Sequence, residues 1–300
     1  MLRDARRVSF GRLIDYAGVF PPAALDIDSA VAAYRAVRTG SDAWIVGRFL
    51  CPTSRLTDLA AVLTATLPAG EPPWQIGVVF DEPAGVAASH AATFHQYSNP
   101  AAVVVSAEAR LTSPSPGGAH RTALAASSIA AGVAVYLEVA NTPDGGSELP
   151  TALEAIAAAR AELRTPLGAK LRCRGSDGTT VPSVDSVATF LIACRDRALP
   201  FTATAGLHHP VRHRDRTHHG FVNLLAAAAA AAGGASHAEV AAIVAEDDPN
   251  AFSVGLGSLG HRGRSLSTRT LEAVRAGAFT AFGSCDLVEP IADLHLMGLL

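Results

Sequence analysis

One rhythm runs through nearly the whole chain: a short β-branched or aromatic run, a polar or Gly/Pro-rich loop, then an Ala/Leu-rich stretch of helical spacing. "RLIDYAGVFPPA" leads to "DIDSAVAAYRAVRTG", "AWIVGRFLCPTS" to "RLTDLAAVLTATLP" and "WQIGVVFDEP" to "AGVAASHAATFHQYS". "AAVVVSAEAR" leads, past the loop "LTSPSPGGA", to "HRTALAASSIAAG", and "VAVYLEVANTPDGG" leads to "SELPTALEAIAAARAELR". "LGAKLRCRGSDGTTVP" leads to "SVDSVATFLIACRDRA", and "FTATAGLHHPVRHRDRTHHG" to a long alanine helix. Strands alternating with helices at this spacing signal βαβ units around a parallel sheet. The eighth strand is either 252–264, "FSVGLGSLGHRGR", or 279–285, "FTAFGSC". We assign 279–285, because "STRTLEAVRAG" before it reads as a capped helix and "EPIADLHLMGLL" after it as the closing helix. Residues 251–264 then form an insertion, a hairpin, between strands seven and eight. The expectation is a single-domain α/β protein spanning 1–300, an aldolase-like (β/α)8 TIM barrel. A doubly wound open sheet is the alternative, and the lack of Gly-x-Gly-x-x-Gly after the first strand counts against its dinucleotide-binding form.

Bulk properties narrow the partners. At 300 residues and 49% hydrophobic the chain can bury a large core, while charged residues are 17% and the net charge is −3. No basic block or aromatic–basic interleaving points to nucleic acid. The N-terminal "MLRDARRVSFGRLIDYAGVF" lacks the continuous apolar core of a secretory signal, and "FVNLLAAAAAAAGG" is too short to span a membrane. Cysteines at 51, 173, 194 and 285 show neither metal spacing nor a disulfide framework. The expected setting is the reduced cytoplasm. Lys170 is the sole lysine among 24 basic residues, and this near-exclusive use of arginine makes a surviving lysine informative.

Strand alternation sends successive side chains to opposite faces. In "GAKLRC", Ala169, Leu171 and Cys173 suit the helix-facing side, so Lys170 and Arg172 point into the barrel. The same parity puts Tyr136 and Glu138 inward on strand five, groups Val104, Ser106 and Glu108 on strand four, and puts Thr202, Thr204 and Gly206 inward on strand seven. Asp15, Arg48 and Asp81 are placed at the ends of strands one, two and three. Charges inside parallel strands are costly unless paired. Their convergence at one barrel end marks either a site or a structural ion-pair network.

Three chemistries fit. In the first, Lys170 is a Schiff-base nucleophile, its pKa depressed by burial and by Arg172, with Glu138 or Asp81 shuttling protons. Arginine cannot replace lysine in that role, since a guanidinium stays protonated. The strand-borne Lys170, its Gly-containing loop, "TTVPSVDSV" and "PFTATAGL" resemble the sixth and seventh units of class I aldolase barrels, deoxyribose-phosphate aldolases in particular. That resemblance implies a lyase with Lys170 as its amine. Two positions depart from it: Arg172 replaces a small hydroxyl residue, and Thr202 stands where those enzymes carry a second lysine. Over the whole length, "LIDYAGVFPPA", "KLRC", "TATAGLHHPVR", "HGFVN" and "FGSC" are similar to segments of an uncharacterised bacterial family of comparable size. In the second chemistry, Asp81, Glu108, Glu138 and His208 hold a divalent metal, Mg or Zn, and Lys170 is a base or enolate stabiliser. This arrangement resembles the enolase superfamily, whose N-terminal capping domain is absent here. In the third the barrel binds a small molecule without catalysis.

The loop after strand seven, "GLHHPVRHRDRTHHG", and the insertion concentrate Arg212, Arg214, Arg216, Arg262, Arg264 and six of the eleven histidines. Barrels commonly bind phosphate there, and Ser284 precedes a helix whose N-terminus favours an anion. The expected ligand is a small anionic carbonyl metabolite without a cofactor. Its contacts are Asp15, Arg48, Asp81, Thr204, His209, Arg212 and Ser284, around the catalytic set Lys170, Glu138, Arg172 and His208. A solvated loop balanced by Asp215 is the competing reading. The alanine helix offers a face for a homo-oligomer contact or for internal packing.

Overall fold

The computed structural model describes residues 4–68, 70–98, 101–139, 148–175, 180–213 and 218–300. Eight parallel strands close into a barrel: β1 (Ile14–Tyr16), β2 (Val46–Pro52), β3 (Trp74–Val79), β4 (Ala102–Arg110), β5 (Ala134–Glu138), β6 (Leu167–Arg172), β7 (Phe201–Thr204) and, last in sequence, β11 (Phe279–Ser284). Each strand pairs with its sequence neighbour, and β11 inserts between β7 and β1 to complete the ring. The eighth barrel strand is therefore the 279–285 segment. The fold is a (β/α)8 barrel.

The outer layer begins with α1 (Ala5–Phe10), a short helix that the sequence reading did not place. It continues with α2 (Ile27–Arg38), α3 (Leu56–Thr66), α4 (Ala84–Ser98), α5 (Pro116–Ser127), α6 (Glu148–Leu163), α7 (Val184–Asp196), α8 (Phe221–Ala232), α9 (His237–Ala245), α10 (Thr268–Gly277) and α11 (Val288–Leu296). Side-chain caps start several of them. Asp26, Ser115, Ser183 and Ser267 each accept from a first-turn N–H, and Ser236 with Glu239 forms a full capping box. The alternate residues of the strands that do not enter the barrel pack against these helices. On one flank Tyr34 of α2 packs edge-on to Phe49 and Trp74 and donates its hydroxyl to the Gly47 carbonyl at 2.6 Å.

The alanine helix covers the run "FVNLLAAAAAAA". It ends at Gly233–Gly234, and α9 folds back over it, tied by Asn223 Nδ2 to the carbonyls of Ile243 and Glu246 at 2.8 Å each. Nearly every residue of α8 is buried within the chain. Its apolar surface is spent on internal packing, so it offers no free face to a second subunit. The insertion is larger than a hairpin: β8 (Phe252–Val254), β9 (Ser258–His261) and β10 (Arg264–Ser267) form a three-stranded antiparallel sheet against α1 and α10. No helix among the described residues is long and apolar enough to cross a membrane.

Parity along β4 needs one correction. Val104 pairs with Ile76, but Ser106 pairs with the next residue, Gly77, so Val105 is skipped and the alternation restarts. Ser106 and Glu108 share the interior face, while Val104 joins the apolar core.

Candidate functional site

A cavity of about 820 Å³ opens where the barrel strands end. Lys170, Glu108, Glu138, Arg172, Thr204 and Ser284 line it, as do His208 and Asp81 from the loops after β7 and β3. At its floor lies Lys170, only 6% exposed. Unbroken ladders put it there: Glu138 on β5, Lys170 on β6 and Thr202 on β7 are consecutive register partners.

The amine is held between carboxylates. Lys170 Nζ donates to Glu108 Oε2 at 2.7 Å and stands 3.4 Å from Glu138 Oε2. Glu138 also faces Arg172 at 3.6 Å and Arg110 at 3.8 Å. Burial works against the Lys170 charge, but Glu108 and Glu138 outweigh it and raise the pKa above that of an ordinary lysine. This reverses the expected depression. The Glu138 carboxylate stands between Arg172 and the amine, and the uncharged Thr202 occupies the adjoining position on β7, so Arg172 does not drive the amine toward neutrality. Glu108, expected only as a metal ligand, is the nearest partner of Lys170.

Asp15 and Arg48 lie deeper than a strand end. Asp15 is the middle residue of β1, and Arg48 is the third of seven in β2. Neither lines the cavity. Asp15 accepts from the Arg48 backbone N–H at 2.7 Å, from its Nε at 2.9 Å and from its Nη2. The guanidinium sits 5.7 Å from the centre of the Tyr136 ring. A Cβ at Gly47 would collide with the Asp15 carboxylate, so only glycine lets the two strands close on this pair. Burial raises the Asp15 pKa despite these bonds. The Arg48 pKa rises too: burial opposes its charge, and Asp15 more than offsets that. The pair is a structural element beneath the site.

Asp81 lies two residues past β3, and its carboxylate is turned to the protein. It accepts from Thr53 Oγ1 at 2.8 Å, from the Ser54 N–H at 3.1 Å and from Ser54 Oγ, closing the turn that starts α3. Burial opposes its charge, but the bonds from Ser54 and Thr53 prevail and lower its pKa. Asp81→Ala should therefore cost about 1–2 kcal/mol in denaturant unfolding. That loss should be full above the ordinary carboxylate pKa and should close as pH falls through the lower folded value.

The mouth is more selective than the sequence suggests. His208 reaches it, with its pKa lowered by burial, and lies 3.9 Å from Glu289. His209 instead bonds Asp293 on α11 at 2.7 Å and does not line the cavity. Arg212 does not line it either: its backbone N–H is tied to Asn223 Oδ1 at 3.0 Å, in the segment leading into α8. Ser284 donates to the Asp286 carbonyl at 2.5 Å, and Asp286 itself accepts from Val288 N–H at 2.6 Å, so the α11 N-terminus already holds its own carboxylate. His219 is fully buried on the Pro182 carbonyl, with its pKa lowered to about 4 by that burial. The insertion is not part of the mouth: Arg262 binds Glu246 and Arg264 binds Glu239, and no residue of β8–β10 lines the cavity. Arg214, Asp215 and Arg216 lie outside the described residues.

Two arginines of the cavity went unread in the sequence. Arg110 and Arg174 each follow a recognised site residue by two positions, Glu108 and Arg172, and both line the cavity. Extending the strand parity by one step would have found them. Among the described residues no three His, Cys, Asp or Glu side chains converge as metal ligands would. The Asp81 carboxylate is occupied by Thr53 and Ser54, and the Lys170 amine stands between Glu108 and Glu138 where a cation would sit, so the proposed ligand set is not assembled. No protein-family model and no curated protein matches the chain, so none of the resemblances drawn from the sequence gains support from that quarter.

Proposed function

We propose that the protein is an enzyme of the lyase type, acting on a small carbonyl compound with an acidic group through a Schiff base on Lys170. The observation that carries this reading is the Lys170–Glu108 pair: a buried amine on the floor of an open cavity, with a carboxylate 2.7 Å away to take its proton. Proton transfer to Glu108 converts two buried charges into two neutral groups, so burial offsets part of the cost of breaking the resting ion pair. The amine's electron pair then forms a C–N bond to the carbonyl carbon as the C=O π pair moves to oxygen. Glu108 returns its proton to that oxygen while Glu138 takes one from nitrogen. Glu138 then gives that proton to the hydroxyl, water leaves, and an iminium remains with both carboxylates ionised again.

The iminium is an electron sink. When the adjacent C–C bond breaks, its electron pair forms an enamine, and the proton of the departing β-hydroxyl passes to a carboxylate as the second carbonyl forms. Arg172 and Arg174, with Arg110 beside them, present guanidiniums to the substrate's acid group.

A second reading is favoured by the raised Lys170 pKa: a protonated lysine can stabilise an enolate without covalent attachment. Borohydride separates the two. Incubation with 2-oxo acids or aldehydes and borohydride should add the reduced substrate mass to the protein. The yield should climb as pH rises toward the raised pKa of Lys170, because the neutral fraction of the amine grows. A protein that turns over such substrates and never gains that mass would favour the enolate reading.

A further inference from the structure

We infer that the cavity takes an oxo acid bearing a bulky apolar substituent rather than a sugar phosphate. The inference rests on the carbonyl-acting reading of the same site and adds the shape of the substrate. The order of strands around the ring puts β2 directly across from β6, β1 across from β5, and β3 across from β7. Cations lie on one side: Arg110 on β4, Lys170 and Arg172 on β6, and Arg174 just beyond it. The facing wall is apolar. Phe20, Pro21 and Pro22 follow β1, Leu50 sits on β2, and Val79 and Phe80 close β3. The two carboxylates on that side already have partners, Asp81 in Thr53 and Ser54, and Glu82 in His90 Nδ1 at 2.9 Å.

A substrate with its acid group at Arg172 and Arg174 and its carbonyl at Lys170 must project its remaining carbons across the barrel onto Leu50 and Phe80. Sugar hydroxyls set against Leu50, Val79 and Phe80 would lose water, with only the already engaged carboxylates of Asp81 and Glu82 nearby, which is costly. A phenyl or branched alkyl group would instead remove apolar surface from water. The volume agrees: about 820 Å³ lies in the range that encloses drug-sized ligands, well beyond the needs of a three-carbon oxo acid.

The test is calorimetric binding of pyruvate, phenylpyruvate and 2-deoxyribose 5-phosphate to the full chain, with borohydride trapping run in parallel. Phenylpyruvate should bind about 10- to 100-fold tighter than pyruvate. Leu50→Asn and, at a partly exposed position, Phe80→Ala should each shrink that gap. Phenylpyruvate binding no tighter than pyruvate, a sugar phosphate binding tightest, or no binding by any probe would each overturn the inference. Tighter phenylpyruvate binding without any adduct would uphold the apolar wall and count against the Schiff base. Adducts formed with equal affinity across the probes would do the reverse.

Discussion

Replacing Lys170 with methionine should abolish adduct formation and lower the unfolding free energy by about 3–5 kcal/mol, because it strands the buried Glu108 carboxylate. Lys170→Arg separates the two effects. It keeps a cation near Glu108 and Glu138, so it should recover part of the stability, yet a guanidinium cannot become the neutral nucleophile and no adduct should form. The stability deficit of Lys170→Met also carries a pH signature. A lysine whose folded pKa is raised contributes fully below its unfolded pKa, and the contribution fades as pH rises through the folded value. The gap between the denaturant curves of wild type and Lys170→Met, full at neutral pH, should therefore close at strongly alkaline pH. A constant gap across that range would mean that the ion pair is not the source of the loss.

Asp15→Ala is the second large effect. It leaves the Arg48 guanidinium buried beneath the cavity without its carboxylate and removes the acceptor of the Arg48 backbone N–H. The expected cost is again about 3–5 kcal/mol, a fall in melting temperature on the order of 10 °C for a chain of this size. Asp15→Asn should lose less, since its amide oxygen can still accept from that N–H. An unchanged melting temperature for Asp15→Ala would show that the pair does not form.

The sequence was legible where the ladders are regular. On β5 and β6 the two-residue alternation runs without a break, so Glu138, Lys170 and Arg172 were placed correctly from parity alone. It misgrouped Val104, because the skipped residue at Val105 leaves no mark in a run of valines. Position along a strand was harder to read than its face. Arg48 and Asp15 were assigned to the mouth because charges are expected there, yet together they satisfy each other well below it. Loops obey no parity at all. His208 and His209 are adjacent, and only tertiary contact with α11 decides that one reaches the cavity while the other binds Asp293. The insertion looked like part of the mouth because its arginines resemble an anion site. Their carboxylate partners, Glu239 and Glu246, lie on or just after α9, and sequence spacing does not reveal that pairing.

The direction of the Lys170 pKa was misjudged for a related reason. Sequence parity showed Arg172 two residues away, while the nearer carboxylate, Glu108, comes from a strand two places along the barrel wall. In such a site the amine rests protonated, and the proposed Schiff-base chemistry requires it to hand that proton to Glu108.

Peptide mapping of the borohydride-reduced adduct tests this account most directly. The chain has one lysine, so the amines that can form an imine are Lys170 and the N-terminal amino group. The account predicts that the wild-type adduct maps to the peptide containing Lys170 and that its yield drops at least about tenfold in Glu108→Gln, which cannot accept the proton. An adduct confined to the N-terminal amine, or a Lys170 adduct formed equally well in Glu108→Gln, would contradict it.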